Sequence, residues 1–580
     1  MFLTDSELHK TSPFQGYAGP FLRFLDVLGG QKRYVRFLGG VLAFVVFANQ
    51  AWATESASPA FDILEFEVEG NTVLPNMDIE RAVLPFMGEG KQVADVELAR
   101  AALEKAYHDK GFLTVFVDIP EQRIDAGVIA LQVTEGRVER LRVTGSRYYA
   151  QGEIRRQVSE LQGGKVPNFN IVQAQLAELN RGEARRVQPL LRQGALPGTV
   201  ETELQVQDRL PLGANLELNN RHAYLSVPTR LSFSAHYDNL WQREHGLTLT
   251  AITAPAKPSE SRVFLLNYGV PVGEGKSWSF SGLWFDSLSE PLGAASVAGK
   301  GYTLSANYFT PIWVGGALAG FSHSFTAGVS WKDSREHITT TLPSDDVSNA
   351  GGSEFSTPVK YLPLTLAYHA AWLQDGGGQT QLSTNGLFNS LRLVQRQVDC
   401  AGVPTDQFAC KGNGVDGGFA TLKMDLRHAQ PLLNGWALRG RLAGQLSTGP
   451  LISAEQFTLG GADSVRGYYE AEASGDFGAL ASIELHAPNW ASKVQDRIKN
   501  LTDLSTFAFV DAGRVMLVQP AVGQTDRTSI FSNGLGLRLG LSGSAGRSAS
   551  AAIDIAWPLR RTSATEAHDP KVHLRLNMAL

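Results

Sequence analysis

The sequence predicts a signal peptide, two small α+β modules and then a 16-stranded antiparallel transmembrane β-barrel. Three observations carry that reading. Beyond Pro211 helical periodicity gives way to alternating strand candidates, about sixteen of them, which continue to the last residue. The final candidate is the clearest: Val572, Leu574, Leu576, Met578 and Leu580 alternate with His573, Arg575, Asn577 and Ala579, so one face suits lipid and the other a watery lumen. The N-terminal region carries an export signal, and the stretch between mixes helical and strand periods.

The export signal has its parts in order. Lys32, Arg33 and Arg36 precede the apolar run Phe37 to Phe47, and Ala51-Trp52-Ala53 supplies a small-x-small cleavage site. This reads as a signal peptide over residues 1–53, cut after Ala53. The apolar run is too short for a membrane helix, which takes about 20 residues. The stretch ahead of Lys32 is either an extended leader or the product of a misplaced start codon. Residues 54–61 form a short tether.

Composition excludes several function classes. A net charge of −5 and a pI near 6.2 leave no basic footprint for nucleic acid. Arg155, Arg156, Arg185 and Arg186 cluster, but acidic residues interleave them, which reads as a solvated face. A mean hydropathy of −0.11 looks soluble, yet a barrel looks the same because only alternate residues face lipid. The 59 glycines suit many short strands joined by tight turns. Twelve scattered histidines offer no metal spacing, and neither H-E-x-x-H nor G-x-S-x-G occurs. No catalytic residue, metal or cofactor is therefore expected. Gly273-Glu274-Gly275-Lys276-Ser277 looks like the end of a phosphate-binding loop, but the required first glycine falls at Val270 and strands flank it, so it reads as a hairpin turn. Asp345-Asp346 reads as a solvated acidic turn. Cys400 and Cys410 lie in the polar segment Val398 to Gly417; in an exported chain they most simply form a local disulfide, constraining a loop rather than a core.

The mixed region holds two copies of one strand-helix-helix-strand-strand unit, at 62–136 and 137–210. In the first, a strand at Ile63 to Val68 ends at Gly70-Asn71, and a short helix covers Met77 to Phe86. Val96, Ala99, Leu103, Ala106 and Tyr107 recur at helical spacing between an Asp95 N-cap and a Gly111 stop. Strands at Phe112 to Ile119 and Val128 to Thr134 follow. The second copy has a strand at Val138 to Val143, helical segments near Glu153 to Leu161 and Ile171 to Asn180, and strands at Arg186 to Leu191 and Thr199 to Gln207. In this order, the Gly70-Asn71 turn and Tyr107-x-x-x-Gly111-Phe112 resemble POTRA domains, the periplasmic modules of the BamA-like outer-membrane assembly superfamily.

In the barrel region, 211–580, strand candidates include Leu212 to Asn220, Arg230 to Asn239, Ser277 to Asp286, Phe477 to His486, Phe507 to Leu517 and Leu535 to Leu541. Between two of them lies F-T-L-G-G-A-D-S-V-R-G-Y, Phe457 to Tyr468, and farther on F-V-D-A-G, Phe509 to Gly513. The pair resembles the loop and wall motifs of the same superfamily. There the loop, here Gly460, Gly461, Ser464, Val465, Arg466, Gly467 and Tyr468, folds back into the barrel. Its arginine meets the aspartate of the wall motif, here Phe509, Asp511 and Gly513. Period-2 alternation puts Phe509, Asp511 and Gly513 on the lumen side and Val510 toward lipid.

Two POTRA units plus this loop resemble the TpsB transporters of two-partner secretion, of the ShlB/FhaC/HecB-like kind, over essentially the whole mature chain. The resemblance implies a location in the Gram-negative outer membrane with periplasmic POTRA domains. It implies a protein-translocating pore and no enzyme. Implied partners are a secreted TpsA-like exoprotein with an N-terminal secretion domain, outer-membrane lipid, and the barrel-assembly machinery during biogenesis, with no nucleic acid. Leu580 departs from the usual aromatic end of the barrel-assembly signal. With the POTRA units inside, Lys332 to Ser356, Gln395 to Gly417, Gly449 to Gly475 and Arg560 to Pro570 become external loops. The inner turns are short except Asn489 to Asp503. Family members often have a plug helix and linker ahead of the first POTRA unit; the tether is too short for both, so the plug is expected to be missing. The alternative function is an insertase for other barrels, and a passive porin would need no POTRA units.

Overall fold

The computed structural model describes residues 60–123, 126–182, 184–292, 295–312, 320–340, 353–390, 393–400, 402–520 and 524–580. The expected signal peptide, its cleavage site, the tether up to Pro59 and Asp345-Asp346 lie outside the described residues. The tether's lack of room for a plug therefore stays an expectation.

In the first module, strand Glu65–Glu69 runs parallel to Val128–Glu135, which pairs antiparallel with Val115–Asp118. Ile129, Leu131 and Val133 alternate toward one face of the central strand. Helices Asn76–Val83 and Val93–Asp109 cover that face, and Leu103, Tyr107 and Val115 complete the core. Two expectations change. The second helix starts at Val93, ahead of Asp95, whose carboxylate accepts the Gln92 N–H at 2.8 Å as half of a capping box. The strand expected from Ile63 to Val68 is split at Leu64. Phe61–Ile63 pairs with Gly88–Lys91, and the Leu64 and Glu65 N–H groups both donate to the Gly127 carbonyl, turning the chain from one partner to the next.

The second module repeats the plan: Arg137–Thr144 parallel to Thr199–Asp208, itself antiparallel to Arg185–Gln193. Ile154, Val158, Leu161, Leu176 and Leu204 form its core, beneath helices Gln151–Gln157 and Phe169–Leu179. One arginine departs from the solvated face expected of its cluster. Arg155, Arg156 and Arg186 are exposed, but Arg185 is 5% exposed. Its guanidinium donates to the Leu179 carbonyl at 2.7 and 3.0 Å, lies 4.6 Å from the Tyr149 ring, and meets Glu244 at 2.8 Å. Glu244 belongs to the first inner turn of the barrel. In that turn Trp241, Gln242 and Glu244 all have positive φ, a conformation non-glycine residues adopt only when the surroundings hold it. Gln242 accepts the Ala150 N–H at 2.8 Å, and Gln157 donates to Glu244 at 3.1 Å. The second module thus grips the turn.

From Leu212–Asn219 to Lys571–Ala579 every neighbour pairing is antiparallel and the sheet closes, Arg575–Ala579 pairing with Asn215–Asn219. Sixteen strands form the barrel, because Ser353–Tyr361 and Leu364–Leu373 are two halves of one strand lying along Phe321–Thr340. The break falls at Leu362-Pro363, where proline has no N–H for the ladder. On the last strand Val572, Leu574, Leu576 and Met578 are all exposed, the lipid face its alternation implies.

Several strands outrun their expected limits. In the expected external loop Lys332 to Ser356 the described residues are ladder, paired from Lys332↔Tyr361 to Thr340↔Ser353. Strands Ser277–Leu292, Ala295–Ile312 and Phe321–Thr340 have 16, 18 and 20 residues, whereas roughly 9–11 cross a bilayer. Beyond the hydrocarbon the apolar alternation is no longer required, so the pattern ends before the hydrogen bonds do. The wall strand expected at Phe507 likewise begins at Leu501, and Leu535 to Leu541 lies within Arg527–Ser542.

The cysteine loop also differs. Cys400 and Cys410 are bonded, with Cα atoms 5.8 Å apart, beside a hairpin of Gln397–Cys400 and Val403–Asp406. The loop does carry core: Phe408 and Val415 are buried with Tyr361, Phe419, Leu451 and Ile452. Apolar residues dispersed in a polar segment give no periodic signal, so only the packed structure shows them.

Candidate functional site in the barrel lumen

The sixth external loop joins strands Ala437–Ser447 and Phe477–His486, and its arms, Phe457–Leu459 and Ala473–Gly475, pair as a hairpin. Its turn is tied by Ser464, whose hydroxyl accepts the Gly460 N–H at 2.8 Å and lies 3.0 Å from the Gly460 carbonyl. A side chain on Gly461 would collide with the Glu470 carboxylate, which accepts the Ala462 N–H at 3.1 Å. Leu459, Val465, Tyr468 and Ala473 bury themselves against Leu480, Val515 and Ile530 of the wall. A Cβ on Gly513 would stand 2.7 Å from Leu459 and 3.0 Å from Val465, so the missing side chain is the space the loop occupies.

That anchor delivers Arg466, 5% exposed, onto Asp511, which is fully buried. Nε donates to Oδ2 and Nη2 to Oδ1, each at 2.8 Å, and the Arg466 backbone N–H reaches Oδ2 at 3.1 Å. Nη1 donates to Glu484 at 2.7 Å, and Ser482 donates to Asp511 at 2.6 Å. One cation therefore faces two carboxylates, and every oxygen of Asp511 has a donor. Charge-assisted bonds in this forked form are the strong class, and their desolvation is offset only because they are all made.

Aromatic rings complete the cage. The guanidinium carbon lies 3.5 Å from the centroid of Phe509. Phe507, one step along the same face, stacks on His486 at 4.5 Å and carries Arg538 at 4.6 Å; Arg538 pairs with Asp554 at 2.5 Å. Both rings lie over glycines of the next strand, since a Cβ on Gly534 would overlap Phe509 and one on Gly536 would overlap Phe507.

The next two loop residues fasten the far side. Gly467, at φ 89°, passes close to Ala556 and Pro558, and its N–H donates to His573 of the last strand at 2.9 Å. The Tyr468 hydroxyl lies 2.9 Å from the carbonyls of both Phe531 and Arg560. Gly460, Gly461, Ser464, Val465, Arg466, Gly467, Tyr468, Phe509, Asp511 and Gly513 thus meet in one place. Cys400 and Cys410 are outside it.

Ser482, Glu484, His486, Phe507, Arg538, Asp554 and His573 were not singled out in the sequence. Alternation with Ala481, Ile483 and Leu485 marks Ser482, Glu484 and His486 as facing inward. That Glu484 sits opposite Phe509 and Ser482 opposite Asp511 is a matter of strand register. Register across the long inner turn that joins these two strands leaves no trace in either one.

Residues 61–136 match the family model "POTRA domain, ShlB-type", and residues 303–539 match "Haemolysin secretion/activation protein ShlB/FhaC/HecB". The second match includes both the loop motif and the wall motif. The chain is homologous to the ShlB/FhaC/HecB transporters. An outer membrane transporter CdiB from Dickeya dadantii is 21% identical over 511 residues, spanning 86% of this chain and 83% of the relative. CdiB from Escherichia coli has the same fold, with TM-score 0.59 and 16% identity over 91% of this chain and 92% of that one. BamA from Haemophilus ducreyi lacking POTRA domains 1–3 aligns with TM-score 0.51 and 16% identity, over 90% of this chain and all of that one. As a ShlB/FhaC/HecB homologue with a closed barrel, the chain lies in the outer membrane with its POTRA domains in the periplasm. The loop carrying Arg466 therefore enters the lumen from the external side.

Proposed function

We propose that this chain is the outer-membrane pore of a two-partner secretion system. It captures an unfolded TpsA-like exoprotein, of adhesin or haemolysin type, by that protein's N-terminal secretion domain. The POTRA strands offer free edges for strand addition, and the substrate then passes through the lumen. The observation that carries this reading is the caged arginine: Arg466 and Asp511 tie a loop to the wall inside the lumen, and that loop has to move before a chain can pass. No nucleotide is at hand outside the inner membrane, so folding of the exoprotein at the cell surface biases movement outward. The barrel-assembly machinery inserts the pore itself.

Export of the cognate exoprotein by Arg466→Ala and Asp511→Ala, at equal barrel levels in the membrane, tests the proposal. Both are expected to cut secretion, and exchanging the two charges to restore part of it. Normal secretion by both single variants would sink the assignment. A general fall in other outer-membrane proteins on depletion would favour an insertase instead.

A further inference from the structure

A groove runs along the outer wall of the barrel, behind the luminal site. Antiparallel register aligns the lipid-facing residues of neighbouring strands into rows. One row runs Leu426, Leu442, Ala481, Ala512 and Phe531 across five adjacent strands. The next row toward the external end runs Met424, Gly444, Ala479, Arg514 and Ser529. Side chains shrink to alanine or glycine in the middle of both rows, between a leucine and methionine ridge and the Phe531 ring. The space left is a cavity of about 1020 Å³, at the upper end of the roughly 300–1,000 Å³ typical of ligand pockets.

Three guanidinium groups line the same cavity: Arg514, Arg527 and Arg560. Arg514 lies two residues from the external end of its strand, and Arg527 begins the next. They share a face, because Arg514 is paired with Ser529 and Met516 with Arg527. Arg560 lies 5.1 Å from the centroid of Phe531. Among the described residues no carboxylate is within ion-pair distance of Arg514 or Arg560, and Arg527 has only exposed Asp526 at 3.4 Å. Lipid-facing arginines are disfavoured more the deeper they lie, unless an anion meets them. Three of them ring the outer-leaflet end of an apolar slot.

We propose that this groove binds the phosphorylated, multiply acylated glycolipid of the outer leaflet. Its acyl chains lie over Gly444, Ala479, Ala481 and Ala512. Its phosphates meet Arg514, Arg527 and Arg560, whose planar forks match phosphate oxygens. Location and charge favour this occupant over a phospholipid: the cations stand at the external end, and three of them exceed the need of a single phosphodiester. The slot backs the strands that carry Glu484 and Asp511, so a bound lipid braces the wall that holds the sixth loop.

The test uses the full-length protein extracted from outer membranes and examined by native mass spectrometry. Wild type is expected to keep one phosphorylated glycolipid through a wash with phosphatidylglycerol micelles. In Arg514→Gln/Arg527→Gln, retention should fall at least about tenfold, from loss of two charge-assisted contacts. Ala479→Leu/Ala481→Leu, which fills the slot, should lose the lipid with all arginines present. Heat-modifiable gel migration reports folding of each, and the arginine variant, altered only at exposed positions, keeps the test open if the leucine variant misfolds. Equal retention in the arginine variant would overturn the proposal. So would displacement by phosphatidylglycerol, or finding a second copy of the chain or another protein in the groove.

Discussion

Arg466 and Asp511 are joined by two parallel bonds of 2.8 Å and a third from the Arg466 backbone, while Glu484 holds the remaining arm of the guanidinium at 2.7 Å. The carboxylates are not equivalent. Asp511 is fully buried and, among the described residues, pairs with no other cation, whereas the Glu484 side chain is 22% exposed and also contacts His486. Removing one partner of a buried pair costs about 3–5 kcal/mol. Asp511→Asn is therefore expected to reduce export much more than Glu484→Gln. Arg466→Lys should resemble Asp511→Asn, since an ammonium cannot make the fork. Secreted exoprotein per unit of barrel is the measurement.

The glycines beneath the aromatic cage give a second expectation. Gly534→Ala should push Phe509 off the guanidinium, and Gly536→Val should displace Phe507 from between His486 and Arg538. Overpacking of this kind costs about 1–3 kcal/mol. Single-channel recordings should show a noisier or larger conductance in both, with the barrel still folded by gel migration.

A third expectation concerns the joint between the second module and the barrel. Arg185→Met keeps the packing volume but leaves the Leu179 carbonyl without its side-chain donor and Glu244 without its cation, held by Gln157 alone. The cost of an unsatisfied buried acceptor is about 1–3 kcal/mol. Hydrogen exchange in the full chain should rise across Gln151–Gln157 and the turn at Trp241–Glu244, and export should fall while barrel insertion is unchanged. Unaltered exchange would mean that the joint is held elsewhere.

The first module offers a pH-dependent case. The Tyr107 hydroxyl donates to Asn71 at 2.7 Å, and burial, reinforced by the Glu135 carboxylate, raises its pKa above the ordinary phenol value. A raised folded value means that the protonated hydroxyl stabilises the module fully below the unfolded pKa of about 10 and loses that contribution as pH climbs through the folded value. Tyr107→Phe should lower module stability by about 1 kcal/mol at neutral pH. Its deficit relative to wild type should shrink in strong alkali. Limited proteolysis of the full chain against pH measures both.

The Cys400–Cys410 bond closes a small ring around Phe408, and such rings contribute about 2–4 kcal/mol. Mass spectrometry of surface-exposed protein should find no alkylatable thiol before reduction. Replacing both cysteines by serine should make Gln395 to Gly417 sensitive to added protease while Arg466 stays in place.

The sequence by itself determined the two repeated modules, the barrel class and the residues of the two motifs, because each rests on a short-range regularity. Strand alternation has a period of two residues, helices one of 3.6, and the loop and wall motifs are contiguous. The split strand at Leu64 was decided by the carbonyl of Gly127, far along the chain, whereas the capping role of Asp95 rests on the neighbouring Gln92 and the extra rungs beyond Asp286 on pairing with the strand that follows. The tertiary structure alone decided that Glu484 and Ser482 stand beside Asp511, that glycines lie under Phe507 and Phe509, and that Arg185 leaves its exposed neighbours to hold Glu244. These relationships depend on register between strands and on docking between modules. Such pairings are set when the sheet closes, so no single segment encodes them.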